Sequence, residues 1–97
     1  MILALKGPYD LTAVPRLRNE LERVATAPWP VVDLSAVTYV DSSFIAELLM
    51  ANIKRAQKSL SPLTLIVKRD NSAIRKVFEI CGIAMECRVV DSAPSPG

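Results

Sequence analysis

VVDLSAVTYVDSSFIAELLMANIKRAQK, residues 31–58, changes its hydrophobic period part-way along, and that change decides the fold. VVDL is a β-branched run that reads as a buried strand, with Thr38-Tyr39-Val40 continuing the approach to a helix. From Ser42 to about Lys58 the spacing becomes helical. Phe44, Ile45, Ala46, Leu48, Leu49, Met50, Ala51 and Ile53 leave only Glu47 and Asn52 polar in the first turns. An apolar surface reaching nearly all the way round predicts a helix packed on more than one side, by its sheet together with neighbouring helices or a partner protein. Between strand and helix stands Asp41-Ser42-Ser43, small polar residues of the kind that cap helix N-termini.

The same alternation extends outward in both directions. Met1 to Lys6 reads as a strand stopped by Gly7 and Pro8. Val14, Leu17, Leu21 and Val24 then recur at helical spacing, with Arg16, Arg18, Glu20, Glu22 and Arg23 on the other faces and Pro15 in the first turn, where its missing N–H has no partner to lose. Pro28-Trp29-Pro30 ends that helix. On the C-terminal side, Ser59 to Pro62 is a turn and LTLIV a third buried strand. Asp70-Asn71-Ser72 caps a third helix carrying Ile74, Val77, Phe78 and Cys81. Gly82 sits where a left-handed cap is wanted, with Ile83 supplying its hydrophobic contact. CRVVD is a last strand, and the tail SAPSPG, residues 92–97, is expected to be disordered. The order β-α-β-α-β-α-β predicts one α/β domain over residues 1–91, a mostly parallel four-stranded sheet with about three helices. VVDL and LTLIV, as continuous apolar runs, predict strands buried on both faces.

Composition removes several classes of function. A chain of 97 residues buries only roughly 60 to 65% of its unfolded surface, enough for one small core. Twelve basic and ten acidic residues leave a charge of +2, without the excess that binding to nucleic acid requires. The absence of histidine excludes a Ser/His/Asp triad and a Cys/His pair, and the three scattered glycines cannot form a phosphate loop. No enzyme chemistry, metal site or cofactor is expected. Cys81 and Cys87 read as a pair of buried small hydrophobes, which suits a reducing cytoplasmic setting. MILALKGPYD lacks the basic start of a signal peptide, and FIAELLMANI is about half the length of a membrane span, so no direct membrane insertion is expected.

Capping is one role for Asp41-Ser42-Ser43, and modification is a compatible second. A serine at a helix N-terminus after a tight turn is expected to be exposed, and the positive end of the helix dipole tolerates a phosphate. Such a phosphate adds about −1.5 to −2 charge beside Asp41 and opposes an acidic or apolar partner surface docked there.

At these residues the chain resembles a STAS domain, the module of sulphate transporters and anti-sigma factor antagonists, over nearly its whole length. GPYDLTAVPRLRNELERV, with Gly7, Asp10, Thr12 and Ala13 at matching positions, resembles the family's strand end and first helix. VVDLSAVTYVDSS resembles its central strand and phosphorylation loop, and VFEICGI its third helix and glycine cap. The resemblance implies a bacterial anti-sigma factor antagonist, a cytoplasmic phosphoprotein in transcription regulation by partner switching. Its partner would be an anti-sigma factor that is also a serine kinase, and phosphorylation of Ser42 would switch it off. Ser43 is the second-choice acceptor, Asp10 and Asp41 are the acidic positions near the site, and weak nucleotide binding is a further implication.

Two departures from the family accompany the match. Phe44-Ile45-Ala46 stands where many members have Gly-Leu-Gly, placing bulk where a kinase would approach. The chain also begins on what resembles the family's second strand, the usual N-terminal first strand being missing from it, so the neighbouring edge is expected to be open to pairing. Phe44, Met50 and the basic helix end of Lys54, Arg55 and Lys58 are the candidate partner surface. The alternative from the same family is a STAS scaffold or transport-accessory subunit that docks a partner without obligatory phosphorylation.

Overall fold

The computed structural model describes residues 2–83 and 87–92. Strand β1 (Ile2–Tyr9) leads through a 3-10 turn (Leu11–Ala13) into helix α1 (Val14–Glu22). Strand β2 (Val31–Val40) and helix α2 (Ser42–Gln57) come next, then β3 (Thr64–Ile66), α3 (Ser72–Cys81) and β4 (Arg88–Val90). The four strands lie in chain order and every pairing is parallel. The expected alternation is therefore the observed one. The tail beyond Ser92 lies outside the described residues.

Sequential order has a consequence for layering. With right-handed crossovers, each helix falls on the same side of the sheet as the one before it. Burial agrees: Leu3 and Leu5 of β1, Val32 and Leu34 of β2, and Leu65 of β3 share one core with Leu17 and Leu21 of α1, Leu48 of α2, and Ile74 and Phe78 of α3. On the opposite face Ile2, Ala4 and Lys6 are exposed, Val31, Asp33, Thr64 and Val90 are half-buried, and Ile66 of β3 is buried. Helices thus cover one face of the sheet, and the expectation of burial on both is corrected for VVDL, whose Val31 and Asp33 are only half-buried, whereas LTLIV keeps Ile66 buried on the other face. The VVDL run misled because β-branched residues suit a half-open pleat as well as a closed one.

Strand β1 also outlasts its predicted end. It runs through Gly7 and Pro8 to Tyr9, with register shifts between Ala4 and Lys6 and between Gly7 and Pro8. Gly7 takes φ +83°, a conformation open to glycine, and Pro8 forfeits little because β2 is the single ladder partner of β1 among the described residues. This extension carries the chain to the C-terminal edge of the sheet, where Tyr9 pairs with Val40.

The helix ends obey their signals. The Asn71 side chain accepts the Ile74 N–H at 3.3 Å, and Gly82 caps α3 at φ +66° with Ile83 fully buried beyond it. Of the cysteines, Cys87 is buried as expected, but Cys81 is exposed at the end of α3. No helix among the described residues is long and apolar enough to cross a membrane.

Candidate partner-docking site

Because Tyr9 and Val40 are paired, the next residues, Asp10 and Asp41, leave the sheet side by side. Each folds into the same device. The Asp10 carboxylate accepts the Thr12 N–H at 2.9 Å and the Thr12 hydroxyl; the Asp41 carboxylate accepts the Ser43 N–H at 3.0 Å, the Phe44 N–H at 3.4 Å and the Ser43 hydroxyl. Aspartate is suited to this because its short side chain reaches orphan N–H groups two residues on. The bond from Thr12 is the main reason the Asp10 carboxyl titrates below its ordinary range.

Two copies of one turn allow a comparison of the residues they display. The residue directly after each aspartate points outward: Leu11 is 71% exposed, and Ser42 is exposed. The Ser42 hydroxyl makes no hydrogen bond among the described residues, whereas Ser43 spends its hydroxyl on Asp41. The two serines of the motif are thereby separated: Ser43 completes the cap, and Ser42 presents an exposed hydroxyl at the start of a 16-residue helix. Leu11 was not among the sequence candidates. Its place after Asp10, matching that of Ser42 after Asp41, was the available signal.

Phe44 requires correction. Its side chain is 1% exposed and packs in the core against Tyr9, ring centroids 5.3 Å apart and planes tilted by 59°. It offers no surface to a partner, and it puts no bulk in front of Ser42. Tyr9 is itself held from several sides: its hydroxyl donates to Glu20 at 2.9 Å, and the Arg16 guanidinium lies 4.5 Å from its ring centroid while bonding the Pro8 carbonyl at 3.0 Å. Burial, with the bond to Glu20, raises the Tyr9 pKa, so the donor stays protonated. The base of the Ser42 turn is in this way built from packed aromatic rings.

Farther along α2 the remaining candidates divide. Met50 is 51% exposed, and Lys54 is exposed. With Ala46 and Ile53, which is 50% exposed, Met50 forms an outward apolar stripe at helical spacing. Arg18 of α1 clamps Glu47 in a two-pronged ion pair with contacts of 2.9 to 3.1 Å, fixing α2 beside that stripe. Arg55, grouped with Lys54 and Lys58 by sequence, belongs elsewhere. It is 2% exposed, and its guanidinium donates to the carbonyls of Val24, Ala25, Ala27 and Ser61 at 2.6 to 3.2 Å. It is a staple between the end of α1 and the end of α2.

No group of histidine, cysteine or carboxylate side chains suited to a metal occurs among the described residues. The residues brought together form a surface: an exposed hydroxyl at a helix start, two capping carboxylates, Leu11, and an apolar stripe down α2. No curated protein matches the chain. A family model described as "Mlab, STAS domain" matches residues 1–90, so the parallel sheet, the Asp-Ser-Ser turn and the helix behind it are those of the STAS domain family, to which this chain belongs.

Proposed function

We propose that the domain acts as an anti-sigma factor antagonist: it binds an anti-sigma factor that is also a serine kinase, and phosphorylation of Ser42 switches it off. STAS domains act through protein partners in regulation, and the finer reading rests on one observation, the exposed and unbonded Ser42 hydroxyl beside a Ser43 hydroxyl already committed to Asp41. The domain is on this reading the substrate of a kinase and has no catalytic activity of its own.

Magnitudes separate folding from binding. A phosphate at the start of α2 meets a favourable dipole worth ~0.3 to 1 kcal/mol, so the helix survives. The same charge desolvated against a docked surface can cost ~2 to 5 kcal/mol, or a weakening of about 30-fold or more. The test is phosphosite mapping of protein purified from its native host under growth and stress, then binding of wild type, Ser42→Ala and Ser42→Asp to the recovered kinase. A condition-dependent phosphate on Ser42 and weak binding by Ser42→Asp are expected. Tight binding by Ser42→Asp would sink the switch.

The Ala46, Met50 and Ile53 stripe favours a second reading, a scaffold or transport-accessory subunit held by α2 whatever the state of Ser42. Co-purification with a transporter's ATPase or permease, unchanged in Ser42→Asp, would support it.

A further inference from the structure

The end of the molecule opposite Ser42 holds a feature that neither reading uses. Parallel strands alternating with returning helices bring the N-terminal ends of the strands together with the C-terminal ends of the helices. Trp29, just ahead of β2, therefore shares this end with Arg23 at the end of α1 and with Lys54 and Lys58 at the end of α2. Ile2 is there too, since it pairs with Val31. Strand β2 separates this end from Ser42 by about 30 Å, at ~3.3 Å per residue.

Trp29 is the chain's single tryptophan, and 75% of it is exposed. An indole left in water is costly, and here it is also held in place. Prolines on both sides fix the backbone. The Pro28 carbonyl accepts the Ser61 hydroxyl at 2.7 Å, the Ala27 carbonyl accepts Arg55 at 2.7 Å, and the Pro30 carbonyl accepts the Thr64 N–H at 3.2 Å. Its segment is pinned from behind, so docking the ring loses little conformational freedom.

Charge and shape indicate the occupant. Arg23, Lys54 and Lys58 are exposed at this end, Glu22 and, near the end of α3, Glu79 are exposed acids among the described residues, and Arg55 adds a buried positive charge directly behind Ala27, donating to carbonyls. Trp29 lines neither the groove between α1 and α2 nor the one beside Ile53, Leu60 and Pro62. It projects outward, with Ile2 at 59% exposure as a second apolar residue at this end. An exposed indole at an end that also carries three exposed cations matches a layer that is anionic at its surface and apolar just beneath, and such a layer needs no shaped pocket to receive it.

We infer that this end docks peripherally on an anionic lipid bilayer, with Trp29 inserted at headgroup depth and Arg23, Lys54 and Lys58 as the electrostatic rim. Trp29 emission reports the event directly. The full chain is titrated with phosphatidylglycerol vesicles and, separately, with phosphatidylcholine vesicles, and binding is measured in parallel by sedimentation. A blue shift and pelleting with the anionic vesicles alone, lost at high salt, are expected. Lys58→Ala should weaken binding about fivefold, and Trp29→Ala about tenfold or more while keeping the wild-type circular dichroism. Emission unmoved by phosphatidylglycerol, equal partition onto phosphatidylcholine, or Trp29→Ala pelleting like wild type would each overturn the inference. An equal blue shift with polyglutamate would also overturn it, in favour of an acidic macromolecule. Ser42→Asp should leave vesicle binding unchanged, so this result stands or falls apart from the phosphorylation switch.

Discussion

Replacing the three residues of the Asp-Ser-Ser turn one at a time should separate structure from signalling. In Asp41→Ala, one carboxylate oxygen that accepts two N–H groups and the Ser43 hydroxyl disappears. Loss of an N-cap costs ~1 kcal/mol, and loss of a negative charge at a helix start adds ~0.3 to 1 kcal/mol. The sum is about 2 kcal/mol. For a domain of this size that corresponds to a fall in Tm of roughly 8 to 16 °C. Ser43→Ala keeps the N–H bond and loses only a partly exposed hydroxyl bond, so about 0.5 to 1 kcal/mol is expected. Ser42→Ala removes a hydroxyl that bonds nothing in the described structure, and its stability should stay within about 0.5 kcal/mol of wild type. Thermal and urea unfolding monitored by circular dichroism would rank the three. Should Ser42→Ala lose as much as Asp41→Ala, Ser42 is a structural cap, and the argument that its hydroxyl is reserved for modification collapses.

Three further outcomes are expected. Arg55→Met should lose about 3 to 5 kcal/mol in urea unfolding, because the carbonyls of Ala25, Ala27 and Ser61 lose the donor that Arg55 supplies while that of Val24 keeps only the Ala27 N–H, and Arg55→Lys should recover only part because an ammonium cannot span all four; a loss under about 1 kcal/mol would refute the staple. Ser59 sits at φ +57° just after α2, so Ser59→Gly should raise stability by up to ~1 kcal/mol, and a lower Tm would contradict that reading. Asp10 and Asp91 both titrate below their ordinary 3.8, Asp10 through its bonds to Thr12 and Asp91 through Arg69. With folded pKa values depressed, each contributes stability that is complete above the unfolded value and is lost as pH falls below about 4 through the folded value. Asp10→Asn and Asp91→Asn should each flatten that acid limb, and added salt should erase the Asp91 contribution but spare that of Asp10, whose partner is uncharged. Equal salt sensitivity would show that the two causes are misassigned.

Features under the control of near neighbours were legible in one dimension. The alternation of strand and helix comes from a period of two or 3.6 residues, and the caps at Asp41, Asn71 and Gly82 act within a turn of chain, so each could be read in a short window. The Asp-Ser-Ser turn was legible for the same reason. Folding in three dimensions set the direction in which each side chain was spent. Helix α2 is apolar nearly all the way round, so its sequence leaves its rotation open, and packing against Tyr9 turned Phe44 inward and left Met50 and Ile53 outside. A cation near a helix end reads as solvated surface, yet Arg55 is buried because folding brings the Val24 carbonyl to it from 31 residues away. The passage of β1 through Gly7 and Pro8 likewise depended on its lying at a sheet edge, a property of strand order that no local window contains. Periodicity and capping are energies of adjacent residues, whereas helix rotation, burial of charge and sheet edges are set by contacts between segments distant in the chain.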